Sequence, residues 1–69
     1  MNLIEYKDKN YFTYVNLGDL FGVSDVTTYY WCSGKKLPSL RNFKKIEKVT
    51  NFEVTRQEMT EFYNYKKNS

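Results

Sequence analysis

Two glycines four residues apart, Gly18 and Gly22, sit in a run from Leu17 to Ser39 where apolar anchors alternate with residues that end and start helices. The run reads as two short helices meeting at a fixed turn. Gly22 follows the apolar pair Leu20 and Phe21, where a helix has to stop in a left-handed residue. Val23 plugs the angle between the helices, and the Ser24 hydroxyl caps the second one. Gly18, one turn before Gly22, faces the partner helix, where a missing side chain allows close approach. Trp31 anchors the far end, so Leu17, Leu20, Val23 and Trp31 are expected in the core.

The flanking segments extend an all-helical pattern. Residues 2 to about 11 place Leu3, Ile4, Lys7 and Tyr11 on one helical face, ending near Asn10 or Tyr11. Tyr11 to Val15 also has strand character, since aromatic and β-branched residues dominate it. Thr13 suits the cap of a second helix from Tyr14 to Phe21, and a third should run from Asp25 to Ser33, closed by Gly34. Pro38 sits in the loop before a fourth helix, which begins after Ser39 and carries Leu40, Phe43, Ile46 and Val49 at three-residue steps. Lys44, Lys45, Glu47 and Lys48 between them form a solvated, mostly basic face. Thr55 and Glu58 fit a capping box that starts a fifth helix, with Met59, Phe62 and Tyr63 as its apolar stripe. The polar end, from Lys66 onward, is expected to fray. No repeat or linker divides the chain, so residues 1 to 69 are read as one all-α, five-helix domain.

Composition bounds what such a domain can do. Sixty-nine residues lie near the lower limit for a core without staples, which the thirteen aromatic residues help to offset. One cysteine and no histidine rule out an internal disulfide and a zinc cluster, and leave Cys32 without a base to activate it. Neither a catalytic constellation nor a cofactor or metal site is expected. The formal net charge of +3 mildly favours a polyanionic partner. The first ten residues hold no long apolar run, which argues against a leader or a membrane span and for a cytoplasmic protein.

In Leu17, Gly18, Leu20, the Gly22-Val23-Ser24 turn, Trp31, Gly34-Lys35-Lys36 and Pro38-Ser39, the chain resembles the Cro and repressor type helix-turn-helix proteins of temperate phages. The likeness continues through Leu40, Phe43, Ile46-Glu47, Thr50, Val54-Thr55 and Glu58-Met59 to the last two helices of the all-helical Cro branch. It implies a Cro/repressor-like helix-turn-helix domain that represses transcription by occupying operator DNA, with the third helix in the major groove. The outward positions of that helix, Asp25, Val26, Tyr29 and Tyr30, would read bases, while Thr28 and Trp31 face inward. Phosphate contacts are expected from Thr13, Tyr14 and Asn16 at the start of the second helix, Lys35 and Lys36 after the third, and Arg41 and Asn42 on the fourth. The implied partner is double-stranded, pseudo-palindromic DNA bound by a homodimer, with Phe52, Val54, Phe62, Tyr63 and Tyr65 as the dimer surface.

Two departures separate this chain from the pattern. An aromatic pair and Tyr14 replace the usual polar amides, and Thr28 stands where an inward Val or Ile is usual, which should loosen the third helix. The third helix carries no cation, which favours a different class of function: a small protein-binding antagonist of a host enzyme or repressor, or an antitoxin, on the same scaffold. A positive band from Tyr14 through Lys35 and Lys36 would support DNA. An apolar Tyr29 and Tyr30 patch ringed by acids would support a protein partner.

Overall fold

The second to fifth helices begin at the polar residues expected of them, and the first begins at Asn2. In a computed structural model describing residues 1–68, the elements are α1 Leu3–Lys9, α2 Tyr14–Phe21, α3 Asp25–Ser33, α4 Leu40–Val49 and α5 Arg56–Lys67. Asn2, Thr13, Ser24, Ser39 and Thr55 stand in extended conformation before them, and each side-chain oxygen accepts from an amide three residues on. Such caps satisfy donors that a helix cannot satisfy internally. The Thr55 and Glu58 capping box is present, as are boxes at Asn2 and Thr13. Among the described residues there is no strand, so Tyr11 to Val15 divides between a turn and α2.

The helices converge on one core drawn from all of them: Leu3, Leu17, Phe21, Trp31, Cys32, Phe43, Ile46, Met59 and, from the loop before α5, Val54. α2 packs on both α3 and α4, α1 lies against α3, and α4 against α5. Gly18 is buried, and a Cβ there would stand 2.5 Å from the Val23 carbonyl oxygen, so the glycine lets the α2–α3 turn close. Gly22 and Gly34 take the left-handed conformation, at φ 71° and 77°, and end α2 and α3. A Cβ on Gly34 would lie 2.8 Å from Lys66 Cβ and Cγ, so the end of α5 rests on the end of α3. α5 runs through Lys67, and Ser69 lies outside the described residues.

Four sequence expectations are corrected. Leu20 is 39% exposed, because α2 buries the Leu17, Gly18 and Phe21 side. On α4 only Phe43 and Ile46 of the expected stripe are buried, while Leu40 and Val49 are exposed and Thr50 completes the inward face. Tyr11 lies beyond α1 and is exposed. Thr28 fastens α3 instead of loosening it: its buried hydroxyl lies 2.8 Å from the Tyr14 carbonyl oxygen and 2.9 Å from that of Asp25, donating toward them. The first crosses from α3 to α2, so the polar atom that a Val or Ile would lack becomes a tie.

Cys32 is buried, and burial pushes its thiol from an ordinary value near 9 up to about 12, with Lys7 lowering it and Asp8 raising it by smaller amounts. The thiol therefore stays protonated and inert at neutral pH. A raised folded value means that its stabilising contribution is complete below about 9 and is lost as pH rises toward 12. We expect alkylation of Cys32 at about pH 8 to be slow in the native protein and fast in guanidinium chloride, and native stability to fall in alkaline solution beyond what Cys32→Ala shows. Equal alkylation rates would contradict the burial.

Candidate nucleic-acid interface

The amphipathic register of α3 decides which groups it presents. Thr28, Trp31 and Cys32 are buried; Asp25, Val26 and Tyr29 are exposed, and Tyr30 is half-buried. The four residues read from sequence thus share the outer side of one helix, one turn apart in pairs. Ser24 holds the helix start, accepting from the Thr27 amide at 3.2 Å, and Asp25 lies in the first turn, where the helix dipole favours an anion.

The tyrosines are not independent. The Tyr14 ring, at the start of α2, meets Tyr29 edge-on with centroids 5.4 Å apart, and Tyr29 lies 5.9 Å from Tyr30. An ammonium stands over each ring: Lys7 Nζ 4.7 Å from the Tyr14 centroid, Lys35 Nζ 5.7 Å from Tyr29 and Lys36 Nζ 5.1 Å from Tyr30. The result is a ladder of three aromatic rings framed by three cations, crossing α1, α2 and the exit of α3. A cation over an aromatic face gains about 0.5–1 kcal/mol at an exposed site, so the exposed Lys35 and Lys36 are held near their rings without being locked there. Lys7 is the member that sequence reading assigned to the α1 face and not to this site. Its side chain is well covered, and it also pairs with Asp8 at 3.6 Å.

At the start of α2, Thr13 and Asn16 cap one another. The Thr13 hydroxyl accepts from the Asn16 amide and the Asn16 carboxamide oxygen accepts from the Thr13 amide, both at 3.0 Å. The Thr13 hydroxyl proton and Asn16 Nδ2 keep donor capacity, as do the first-turn amides of Tyr14 and Val15, which a helix leaves without an internal acceptor.

The other expected site residues do not join this group. Arg41 is exposed and Asn42 half-buried, its amide donating to the Ser39 cap, and no hydrogen bond, ion pair or ring contact among the described residues links either to the ladder. The expected dimer residues differ in exposure. Phe52 is 65% exposed in the loop before α5, whereas Tyr65 lies in its last turn and lines a cleft with Asn2, Glu5 and Phe62. Phe62 and Tyr63 are half-buried. Val54 is fully buried, so it closes the core and cannot meet a second copy, which corrects that expectation.

Among the described residues, no helix is long and apolar enough to cross a membrane, and no three His, Cys, Asp or Glu side chains gather where they could hold a metal ion. Comparison with protein-family models, curated proteins and solved structures finds no match to this chain.

Proposed function

We propose that this chain is a sequence-specific, Cro-type transcriptional repressor, in which α2 and α3 form a helix-turn-helix and α3 enters the major groove of operator DNA. The observation that carries this reading is the ladder: Lys35 and Lys36 stand over Tyr29 and Tyr30 on the outer side of α3, and Lys7 stands over Tyr14 at the start of α2, a set of cations that suits a polyanion. Asp25 would accept from a cytosine amino group and Val26 would pack on a thymine methyl. Tyr29 and Tyr30 offer hydroxyls to bases or phosphates. The lysines and the start of α2 would hold the flanking phosphates and set the register. A lysine already resting on a ring has less side-chain freedom to lose on meeting a phosphate. Occupying the operator excludes polymerase or a competing regulator, with no cofactor or catalysis.

The longest extent of the molecule is 30 Å, whereas successive major grooves on one side of the duplex are about 34 Å apart. One copy would therefore cover a half-site, and a homodimer on a pseudo-palindrome would supply useful affinity. Of the expected dimer residues, Phe52 and Tyr65 are the most exposed, at 65% and 70%.

The interface makes binding depend on salt. With roughly 3 to 5 phosphate contacts per half-site, log affinity should fall with log salt at a slope of about −3 to −5 per subunit. Lys35→Ala with Lys36→Ala should weaken binding to all sequences alike and make the slope shallower by about 2. Titrations at several salt concentrations check this, and salt-independent binding would contradict it. The protein-antagonist reading draws on Val15 and Val26, more than half exposed beside the ladder, and on the absence of any cation within α3. It gains if the folded protein ignores DNA at low salt.

A further inference from the structure

Tyr11 closes its turn at a backbone cost that its side chain does not offset by packing within the chain. Its φ is 58°, a left-handed conformation that residues with a Cβ avoid and glycine adopts freely. The turn that imposes this is well defined: the Tyr11 amide donates to the Asp8 carbonyl at 3.3 Å and the Phe12 amide to that of Lys7 at 2.9 Å, the crossed pair that closes a helix around a left-handed residue. A glycine would close the same turn without strain. The Tyr11 side chain does not compensate by packing. It is 93% exposed, the highest exposure of any large apolar side chain described, and it has no hydrogen-bond, ring or ion partner among the described residues. Its neighbours in the sequence behave otherwise, since Tyr6 meets Phe12 and Tyr14 meets Tyr29.

The position of this ring gives it a use. Tyr11 stands two residues before Thr13, the cap of α2, and its turn is closed by the carbonyl of Lys7, whose ammonium lies over Tyr14. It therefore belongs to the turn that joins α1, which carries Lys7, to the start of α2, where Tyr14 and the first-turn amides lie. We propose that Tyr11 is a contact to the DNA backbone, its ring packing on a deoxyribose and its hydroxyl donating to a phosphate beside the one held by the start of α2. This rests on the DNA reading above. A flat apolar ring ending in a donor matches the alternation of sugar and phosphate, and the site lies off α3, so it positions the protein without reading bases. The hydrogen-bonded turn fixes the backbone in advance, which limits the ordering lost on binding.

The test uses Tyr11→Gly and Tyr11→Asn, both compatible with a left-handed turn, in the full chain. Both variants should melt at or above the wild-type temperature and bind operator and unrelated DNA about threefold to tenfold more weakly, by the same factor. Because tyrosine is uncharged, the salt slope should stay at the wild-type value, unlike that of the Lys35→Ala, Lys36→Ala pair. Tyr11→Phe should lose only the part due to the hydroxyl. Wild-type affinity in both variants would overturn the proposal, and so would a lower melting temperature in both, which would show that the ring serves the fold. Failure of the DNA reading itself is distinguishable, since the wild-type protein would then bind no DNA at any salt concentration.

Discussion

Trp31→Ala is expected to lose about 3–5 kcal/mol of stability, which for a chain of this size is about a third or more of what it has. Trp31 is 5% exposed, its ring is 6.5 Å from that of Phe21, and it holds the C-terminal half of α3 against the core. Truncation removes a large apolar area and leaves a cavity that short helices cannot collapse around fully. Typical stability of roughly 0.05–0.15 kcal/mol per residue gives a chain of this length about 3.5–10 kcal/mol, so the variant should melt far below the wild type and, toward the lower end of that range, be unfolded at room temperature. Helical circular dichroism and its thermal transition measure this directly. An unchanged transition would mean that α3 is rotated from the register described, with Tyr29 and Tyr30 inward, and the interface would have to be redrawn.

Helix starts were the most legible part of the sequence, because a cap is a local event. A hydroxyl or carboxamide three residues before an amide needs no tertiary help, and Thr13, Ser24, Ser39 and Thr55 all behave accordingly. Helix ends were legible where glycine marked them and, within a residue or two, at the end of α1 near Asn10, but the left-handed backbone was legible only at glycine. Gly22 and Gly34 could be read, whereas Tyr11 and the pair Asn51 and Phe52 adopt the same left-handed backbone without that signal.

Apolar spacing misled where its period departs from that of a helix. At about 100° per residue, steps of three residues drift by about 60°, so Leu40 and Val49 end on opposite sides of α4 although each is near its neighbour in the series. Ile46 is instead followed by Thr50, four residues on, whose hydroxyl donates to the Ile46 carbonyl and accepts from the Val54 amide. The cations of the site were the least legible. Lys35 and Lys36 follow α3 in sequence and could be placed. Lys7 reaches Tyr14 only through the packing of α1, and Lys45, read as solvated, donates to the Phe21 carbonyl at the end of α2.

The second large effect is expected from replacing Asp25, Val26, Tyr29 and Tyr30 together by Ala. Asp25, Val26 and Tyr29 are exposed, so most of the fold should survive, although the half-buried Tyr30 and the ring contacts of Tyr29 should lower the melting temperature by several degrees. Each good base contact removed is worth about 1–3 kcal/mol of discrimination, so operator preference should disappear. Binding to unrelated DNA should weaken far less, because Lys7, Lys35, Lys36 and the start of α2 remain. Competition titrations with operator and unrelated duplexes separate the two. A folded fourfold variant with full selectivity would remove α3 from the reading role.

Selection of bound sites from a random duplex pool by the wild-type protein at low salt tests the central proposal most directly. We predict enrichment of a pseudo-palindrome whose half-sites are about one helical turn apart, and no such enrichment by the fourfold α3 variant. A folded wild-type protein that recovers only the unenriched pool would contradict it.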